Sequence, residues 1–261
     1  MHGLSIETHD NGVIDLILDR TEVHNAFDDR LIKSLSDTFS QIADDQSIGV
    51  VCMSGRGKNF SAGADLNWMR RMADYDRQQN LDDALALADM LRRLNELPQT
   101  TVALIQGAAM GGAVGLASCC DIVIAADTAR FALSEVRLGI IPAVISPYVV
   151  AAIGARQSRR YMQSGERFDA QTAQRIGLVH EVVSADALTD RGDALIKELL
   201  TAAPAARRIA KQLVYNVSGR AIDETVINYT AGQIADVRAS DEGREGVSAF
   251  LDKRLPNWRS E

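Results

Sequence analysis

Two loops rich in small residues each follow a predicted buried strand. They read Ser61-Ala62-Gly63-Ala64-Asp65 and Ala109-Met110-Gly111-Gly112-Ala113. Because such residues cover little of the backbone, a ligand can contact their main-chain N–H groups directly. Two N–H groups directed at one carbonyl oxygen form an oxyanion hole, in which each donor is typically worth about 3–4 kcal/mol of transition-state stabilisation. Either loop alone could simply permit close helix packing; the pair together favours an active site.

One carboxylate follows the second loop. Glu135 stands after the apolar run that ends at Leu133. The glycine-rich turn at Gly111-Gly112 opens a predicted helix, so its first N–H groups have no partner within that helix. A carboxylate near such a turn can accept or donate a proton in a transition state. The sequence therefore predicts proton transfer beside a polarised carbonyl group.

Several other kinds of site are not indicated. The glycines at 107, 111, 112 and 115 do not fit G-x-G-x-x-G, and the chain has neither a G-x-x-x-x-G-K-[ST] phosphate loop nor a G-x-S-x-G elbow. His24 and His180 could act as bases, although a surface or loop position is the simpler interpretation, and no histidine pair has metal-ligand spacing. The three cysteines form no disulfide framework, and we interpret them as small buried residues.

The charge and hydropathy of the sequence limit the kinds of partner that the protein can bind. The 261 residues carry a net charge of -7, which speaks against a broad nucleic-acid surface. No apolar run reaches the roughly 18 residues that a membrane span needs. The first residues, MHGLSIETHD, lack a basic segment followed by an apolar one. We therefore expect a cytoplasmic protein that binds neither membrane nor nucleic acid and holds no metal.

Strand and helix patterns alternate along the first part of the chain, and helices alone follow residue 185. We predict strands over residues 6–8, 13–18, 50–53, 102–106, 122–126, 131–133 and 178–183. We predict helices from residue 28 to about 42, after Gly111-Gly112, and over residues 81–97, 146–153, 156–164, 169–176, 188–201, 204–215, 223–238 and 241–253. Residues 68–80 read as polar and irregular.

Three motifs together resemble the enoyl-CoA hydratase/isomerase, or crotonase, superfamily: KNFSAGADL, GAAMGGAVGL and CCDIVIAADTARFALSEVRLGIIP. The resemblance runs from the HNAF loop to the terminal FLDKR. It implies an α/β fold in which repeated ββα units form two roughly perpendicular sheets with surrounding helices. It also implies a core over residues 1–198, a helical trimerisation region over residues 199–261, and a homotrimer or homohexamer.

The resemblance assigns roles to individual residues. It implies that the N–H groups of Ala64 and Gly112 hold a thioester oxygen, and that Glu135 exchanges a proton at the adjacent carbon. Further positions match the path of the CoA moiety: Val23, His24, Ala26, Ala62, Asp65, Leu66 and Gly111, with Phe250 and Lys253 reaching the CoA head group, often from a neighbouring subunit. No separate cofactor is implied, because CoA arrives as part of the acyl-CoA substrate.

One position departs from the family pattern. Hydratases with two catalytic glutamates carry A-L-G-G-G-x-E, and this chain has Gly115 at the place of the second glutamate. Hydration through Glu135 alone and Δ3-Δ2 enoyl-CoA isomerisation both remain open. A third alternative is an acyl-CoA- or RNA-binding protein without catalysis, against which the retained Glu135 and the net charge of -7 both speak.

The run LSEVRLGIIPAVISPYVVAAIG looks most like bacterial methylglutaconyl-CoA-type hydratases, which act in leucine breakdown, and their isohexenyl analogues. The favoured substrate is therefore a branched 3-methylglutaconyl-CoA-type thioester with a second carboxylate. Candidate partners for that carboxylate, by proximity in sequence, are Arg137, Ser118, Ser134, Ser146 and Tyr148. Ser146 and Tyr148 could instead serve capping and packing at a helix N-terminus.

Overall fold

A computed structural model describes residues 2–259, with nine strands in two sheets among them. The six-stranded sheet has the order β1-β2-β3-β4-β6-β9, and the three-stranded sheet has the order β5-β7-β8. The strands are β1 (Leu4–Thr8), β2 (Val13–Leu18), β3 (Val50–Gly55), β4 (Thr100–Ile105), β5 (Ala108–Met110), β6 (Ile122–Ala126), β7 (Arg130–Ala132), β8 (Phe168–Asp169) and β9 (Glu181–Val183). The predicted α/β class is confirmed, whereas β5 and β8 were not predicted.

Both sheets are mixed. In the large sheet β1 is antiparallel to β2, and the other neighbours are parallel. The turn that joins β1 to β2 has Gly12 at a φ of 79°, a conformation in which a side chain would be strained. Strand β4 is buried at every residue because both of its faces are covered, as is usual in parallel sheets.

Ten helices lie among the described residues. They are α1 (Asp29–Asp44), α2 (Leu66–Met72), α3 (Arg77–Asn95), α4 (Gly112–Cys119), α5 (Ser146–Ser164), α6 (Ala170–Arg175), α7 (Leu188–Leu200), α8 (Pro204–Val217), α9 (Glu224–Ala239) and α10 (Asp241–Leu251). The helices predicted over 146–153 and 156–164 form α5 together, interrupted at Gly154 with a φ of 73°. None of these helices is long and apolar enough to cross a membrane.

The prediction of an irregular segment over residues 68–80 was wrong. The Asp65 carboxylate accepts hydrogen bonds from the N–H groups of Asn67 and Trp68 and so starts α2. Asp76 and Gln79 form a capping box that starts α3. These caps satisfy N–H groups that lack partners in the first helical turn. Short polar side chains can therefore begin a helix where an apolar period is not visible.

The core lies between the sheets and the helices. Helices α1 and α3 pack on each other over one face of the large sheet, and α7 covers the other face with Leu188 and Ile196. Helix α8 is fixed to the sheet by an ion pair of 2.7 Å between Lys211 and Asp121. The domain boundary at residue 198 stays a prediction.

Candidate active site

The two small-residue loops lie side by side beyond the carboxyl ends of β3 and β4. The Ser61 N–H donates to the carbonyl of Ala108 at 2.9 Å, and the Met110 N–H donates to the carbonyl of Ser61 at 3.1 Å. Because β3 and β4 are parallel neighbours, the loops that follow them leave the sheet at the same edge. The structure thus brings together the two segments that the sequence separates by about fifty residues.

The N–H groups of Ala64 and Gly112 donate to no protein acceptor within residues 2–259. Around Ala64, the Phe27 N–H donates to the Gly63 carbonyl and the Asp65 N–H to the Phe27 carbonyl, both at 2.7 Å. Gly112 is the first residue of α4, so its N–H has no acceptor within the helix. Rigid neighbours thus hold two donors that are available to a ligand.

Glu135 lies against the second loop. It begins a 3-10 turn (Glu135–Leu138) after β7, where a methyl group on Gly111 would lie 3.0 Å from its Oε1. Its Oε2 is buried and has no hydrogen-bond partner in the described part of the chain. Burial raises the pKa of this carboxyl group, partly opposed by a hydrogen bond from its own backbone N–H. A raised pKa suits a group that must alternate between acid and base near neutral pH.

An isoleucine fills the space beside Gly115. A methyl group on Gly115 would lie 2.4 Å from Cγ2 and 2.9 Å from Cβ of Ile145, with Leu91 Cδ2 at 3.7 Å. Ile145 is only 3% exposed. A glutamate side chain at position 115 therefore has no room in this packing. Sequence reasoning missed Ile145, whose only signal was its place in the AVISP segment after Ile141-Pro142.

Asn25 connects the HNAF loop to the segment just before the first small-residue loop. Its Oδ1 accepts from the Arg20 N–H at 2.8 Å, while its Nδ2 donates to the carbonyls of Arg56 and Asn59 at 2.9 and 2.8 Å. His24 and Asn25 both have a φ of 55°, and the His24 carbonyl accepts from the Ala62 N–H at 3.0 Å. The segment with the predicted CoA positions Val23, His24 and Ala26 thus lies beside the loop with Ala62.

The side chain of Asp65 has structural partners. Besides capping α2, its Oδ2 accepts from Nη2 of Arg20 at 3.0 Å, and the same guanidinium lies 3.1 Å from Asp28. Burial by itself would raise the pKa of Asp65, but the N–H groups of Trp68 and Asn67 and the charge of Arg20 lower it. This carboxylate faces the protein, and the next residue, Leu66, is 68% exposed.

The two C-terminal positions predicted to reach CoA lie on and just beyond α10. Phe250 is 83% exposed, and Lys253 follows the helix with a φ of 55°. No described hydrogen bond or ion pair connects either residue to the two small-residue loops. The structure of one chain therefore does not bring them to the candidate site.

The residues predicted to bind a second carboxylate of the substrate differ in whether their side chains already have hydrogen-bond partners in the protein. The Ser118 and Ser146 hydroxyls donate to the carbonyls of Val114 and Ala143, at 2.8 and 2.7 Å. Ser134 directly precedes Glu135. The side chain of Arg137 lies across Gly165. The Tyr148 hydroxyl has no partner among residues 2–259, and Tyr148 lies one turn of α5 beyond Ile145.

A family model described as enoyl-CoA hydratase/isomerase matches residues 8–261. The protein belongs to this family. An Escherichia coli 2,3-dehydroadipyl-CoA hydratase is 32% identical over 249 residues, with 95% of each chain covered. The predicted family is therefore confirmed.

Solved structures confirm the fold as well. An enoyl-CoA hydratase from Shewanella pealeana is 44% identical with a TM-score of 0.94, over 98% of this chain and 96% of the other. Pseudomonas aeruginosa AtuE is 34% identical with a TM-score of 0.95, over 99% and 100% of the two chains. The crotonase fold is thus established, and the finer likeness to methylglutaconyl-CoA-type hydratases stays a prediction.

Proposed function

We propose that this protein adds water reversibly across the double bond of a 2-enoyl-CoA thioester, with Glu135 as its acid and base. One observation carries the proposal: a carboxyl group with an unpartnered buried oxygen lies against Gly111. The adjacent N–H of Gly112 and the N–H of Ala64 in the neighbouring loop are both unpaired within residues 2–259. The names of the E. coli and S. pealeana relatives support the same reaction.

The proposed chemistry needs one proton carrier. The thioester oxygen accepts hydrogen bonds from Ala64 and Gly112, so electron density can move onto it as an enolate forms. Glu135 removes a proton from water while the water oxygen bonds to C3. The protonated Glu135 then delivers its proton to C2, and the thioester carbonyl re-forms. The net change is a hydroxyl group at C3 and a hydrogen at C2, with no cofactor besides the CoA of the substrate.

Isomerisation of a 3-enoyl-CoA is the second candidate. It is favoured by the buried side chain of Ile145 that fills the space beside Gly115, which we call the Ile145 wall. In this reaction Glu135 removes a proton from C2 and returns it to C4 while the double bond shifts. A single carboxylate suffices, and no water has to be held. The Ile145 wall excludes a second carboxylate at position 115, and isomerisation does not need one.

Parallel assays separate the two reactions. The enoyl-thioester absorbance falls when a 2-enoyl-CoA is hydrated and rises when a 3-enoyl-CoA is isomerised. Glu135→Gln should lower turnover in the active assay by several orders of magnitude and leave binding of a CoA ester intact. Wild-type turnover in this variant contradicts the proposal, and CoA-ester binding without turnover of either substrate by wild type indicates a non-catalytic protein.

We propose further that the substrate is a branched glutaconyl-type thioester, with Tyr148 donating to its distal carboxylate. The free hydroxyl of Tyr148 beyond the Ile145 wall supports this assignment, as does a relative named for the dicarboxylic substrate 2,3-dehydroadipyl-CoA. Tyr148→Phe should raise the KM for 3-methylglutaconyl-CoA and leave that for crotonyl-CoA unchanged. An equal change for both substrates contradicts the role.

We also propose a homotrimer or homohexamer. Phe250 is 83% and Leu251 is 71% exposed on α10, and a second copy would cover this apolar surface. Light scattering should give a mass of three or six chains, and Phe250→Glu should lower it. A wild-type mass of one chain contradicts the proposal.

A further inference from the structure

Four cationic side chains line a cavity at the opposite edge of the large sheet from the candidate active site. The cavity has a volume of about 390 Å³ and borders Gly12 and Gly49, the residues that precede β2 and β3. Its cations are Lys197, Arg207, Arg208 and Arg259, and the lining includes no Asp or Glu among residues 2–259. Such a concentration of positive charge is notable in a chain whose net charge is -7.

None of these four cations forms an ion pair within the described part of the chain. Elsewhere basic side chains do find carboxylates: Arg191 lies 2.6 Å from Glu181, and Arg254 lies 2.7 Å from Glu245. Glu242, which accepts from the N–H groups at the start of α8, offsets only part of the charge on Arg207. Among the lining residues of the cavity the positive charge is therefore in excess.

Backbone carbonyls hold the two guanidinium groups in place. Arg207 donates to the carbonyls of Leu199 and Gly49, and Nη2 of Arg208 donates to those of Gln46 and Ile48 at 2.7 and 3.0 Å. The pKa of Arg207 is lowered by burial and by the adjacent positive charge of Arg208. A bound anion would relieve this repulsion without moving either side chain, which is the arrangement of a preorganised site.

We propose that this cavity binds a small anion of the diphosphate type. Guanidinium and ammonium groups bind phosphate oxygens through charge-assisted hydrogen bonds. Two phosphate groups, at roughly −1.5 to −2 each near neutral pH, together approach the charge of the four cations. The volume falls in the range of ordinary small-molecule pockets. The site is separate from the thioester site and does not depend on the proposed reaction.

The two tryptophans provide a test. Trp258 borders the cavity, and its indole N–H donates to the Thr201 carbonyl at 3.3 Å. Trp68 lies on α2 and does not line the cavity; its indole N–H donates to Asp83 at 3.2 Å. The full chain labelled with 5-fluorotryptophan is titrated with inorganic pyrophosphate at constant ionic strength. We expect a saturable shift of the Trp258 fluorine signal, assigned with Trp258→Phe, and no shift for Trp68.

Matched variants complete the test. Lys197→Gln removes an exposed cavity cation and should weaken pyrophosphate binding about tenfold, as should Arg208→Gln. The control Lys33→Gln removes a cation that pairs with Asp37 on α1 and should leave binding unchanged. Thermal unfolding shows whether Arg208→Gln remains folded. If it does not, the pyrophosphate affinity of Lys197→Gln alone tests the proposal. No saturable shift, equal binding by Lys197→Gln and wild type, or an equal response to sulfate overturns the proposal.

Discussion

The contact between Gly115 and Ile145 predicts a reversal of sign in the effect of one methyl group. In an open helix, Gly→Ala raises the free energy of unfolding by about 1 kcal/mol because it restricts the unfolded chain. At position 115 the new Cβ would lie 2.4 Å from Ile145 Cγ2, and overpacking of this kind typically costs about 1–3 kcal/mol. We therefore expect Gly115→Ala to destabilise the wild-type protein by up to about 2 kcal/mol.

Shortening the Ile145 side chain should reduce the cost of a methyl group at position 115. Ile145→Ala alone should destabilise by about 2–5 kcal/mol, the usual range for a buried isoleucine. In that background the 2.4 Å contact with Cγ2 is gone and only the contact with Cβ at 2.9 Å remains, so Gly115→Ala should destabilise much less than it does in the wild type. The two effects should thus be coupled by at least about 1 kcal/mol, as expected for residues in contact.

Urea unfolding of the four proteins measures this coupling, and Gly232→Ala is the control. Gly232 lies within α9 with no atom within 4 Å of the place where its Cβ would be. Its substitution should therefore stabilise equally in the wild-type and Ile145→Ala backgrounds. If Gly115→Ala stabilises the wild type as much as Gly232→Ala does, the space beside Gly115 is open and the exclusion of a second carboxylate is wrong.

Four other predictions concern the carboxylates and the turn beside Glu135. Burial raises the pKa of Glu135, so its charge destabilises the folded state at neutral pH. Glu135→Gln should therefore raise the unfolding temperature at pH 7 while it abolishes turnover, and a lower temperature contradicts this. Since the ionised carboxylate starts both candidate reactions, kcat/KM should fall as pH decreases through a pKa above the usual value of about 4.3; a profile flat to pH 4 contradicts this. Gly111→Ala should lower kcat about 100-fold or more, because Gly111 has a φ of 53° and the new Cβ would lie 3.0 Å from Oε1 of Glu135. A wild-type kcat in this variant would show that neither the backbone angle nor the contact with Glu135 limits the reaction. For Asp65, whose pKa is lowered, the stabilising charge is present above the unfolded pKa of about 3.9 and is lost as pH falls through the folded pKa. The stability difference between wild type and Asp65→Asn should therefore shrink below pH 4, and a constant difference contradicts the assigned role of the charge.

The sequence predicted those parts of the molecule that depend on local pattern. The apolar run from residue 13 to 18 indicated β2, and an apolar stripe with Asp28 or Asp29 as its candidate cap indicated α1; the structure has Asp28 as the cap. The small-residue loops were found because glycine and alanine leave backbone exposed wherever they occur. Their adjacency follows from the parallel pairing of β3 with β4, which the resemblance to a known fold implied and local pattern did not.

Contacts between distant segments could not be predicted in the same way. Ile145 is one apolar residue among many, and its significance comes from the crossing of α4 by the segment before α5. Asp65 matched a ligand position, but whether its carboxylate faces CoA or Arg20 depends on the placement of the latter, 45 residues earlier. Side-chain direction at such positions is set by tertiary packing, which a linear pattern does not specify.

The Ile145 wall bears on the pKa of Glu135. An apolar side chain in place of a second acid removes a negative charge that would by itself raise that pKa. Burial is accordingly the leading cause of the shift, and no neighbouring charge contributes to it. A hydrating enzyme built in this way has only Glu135 and the substrate to orient the attacking water. A substrate with its own distal carboxylate can supply the missing acceptor, so hydration should be faster with dicarboxylic than with monocarboxylic enoyl-CoA esters, whereas isomerisation should show no such preference.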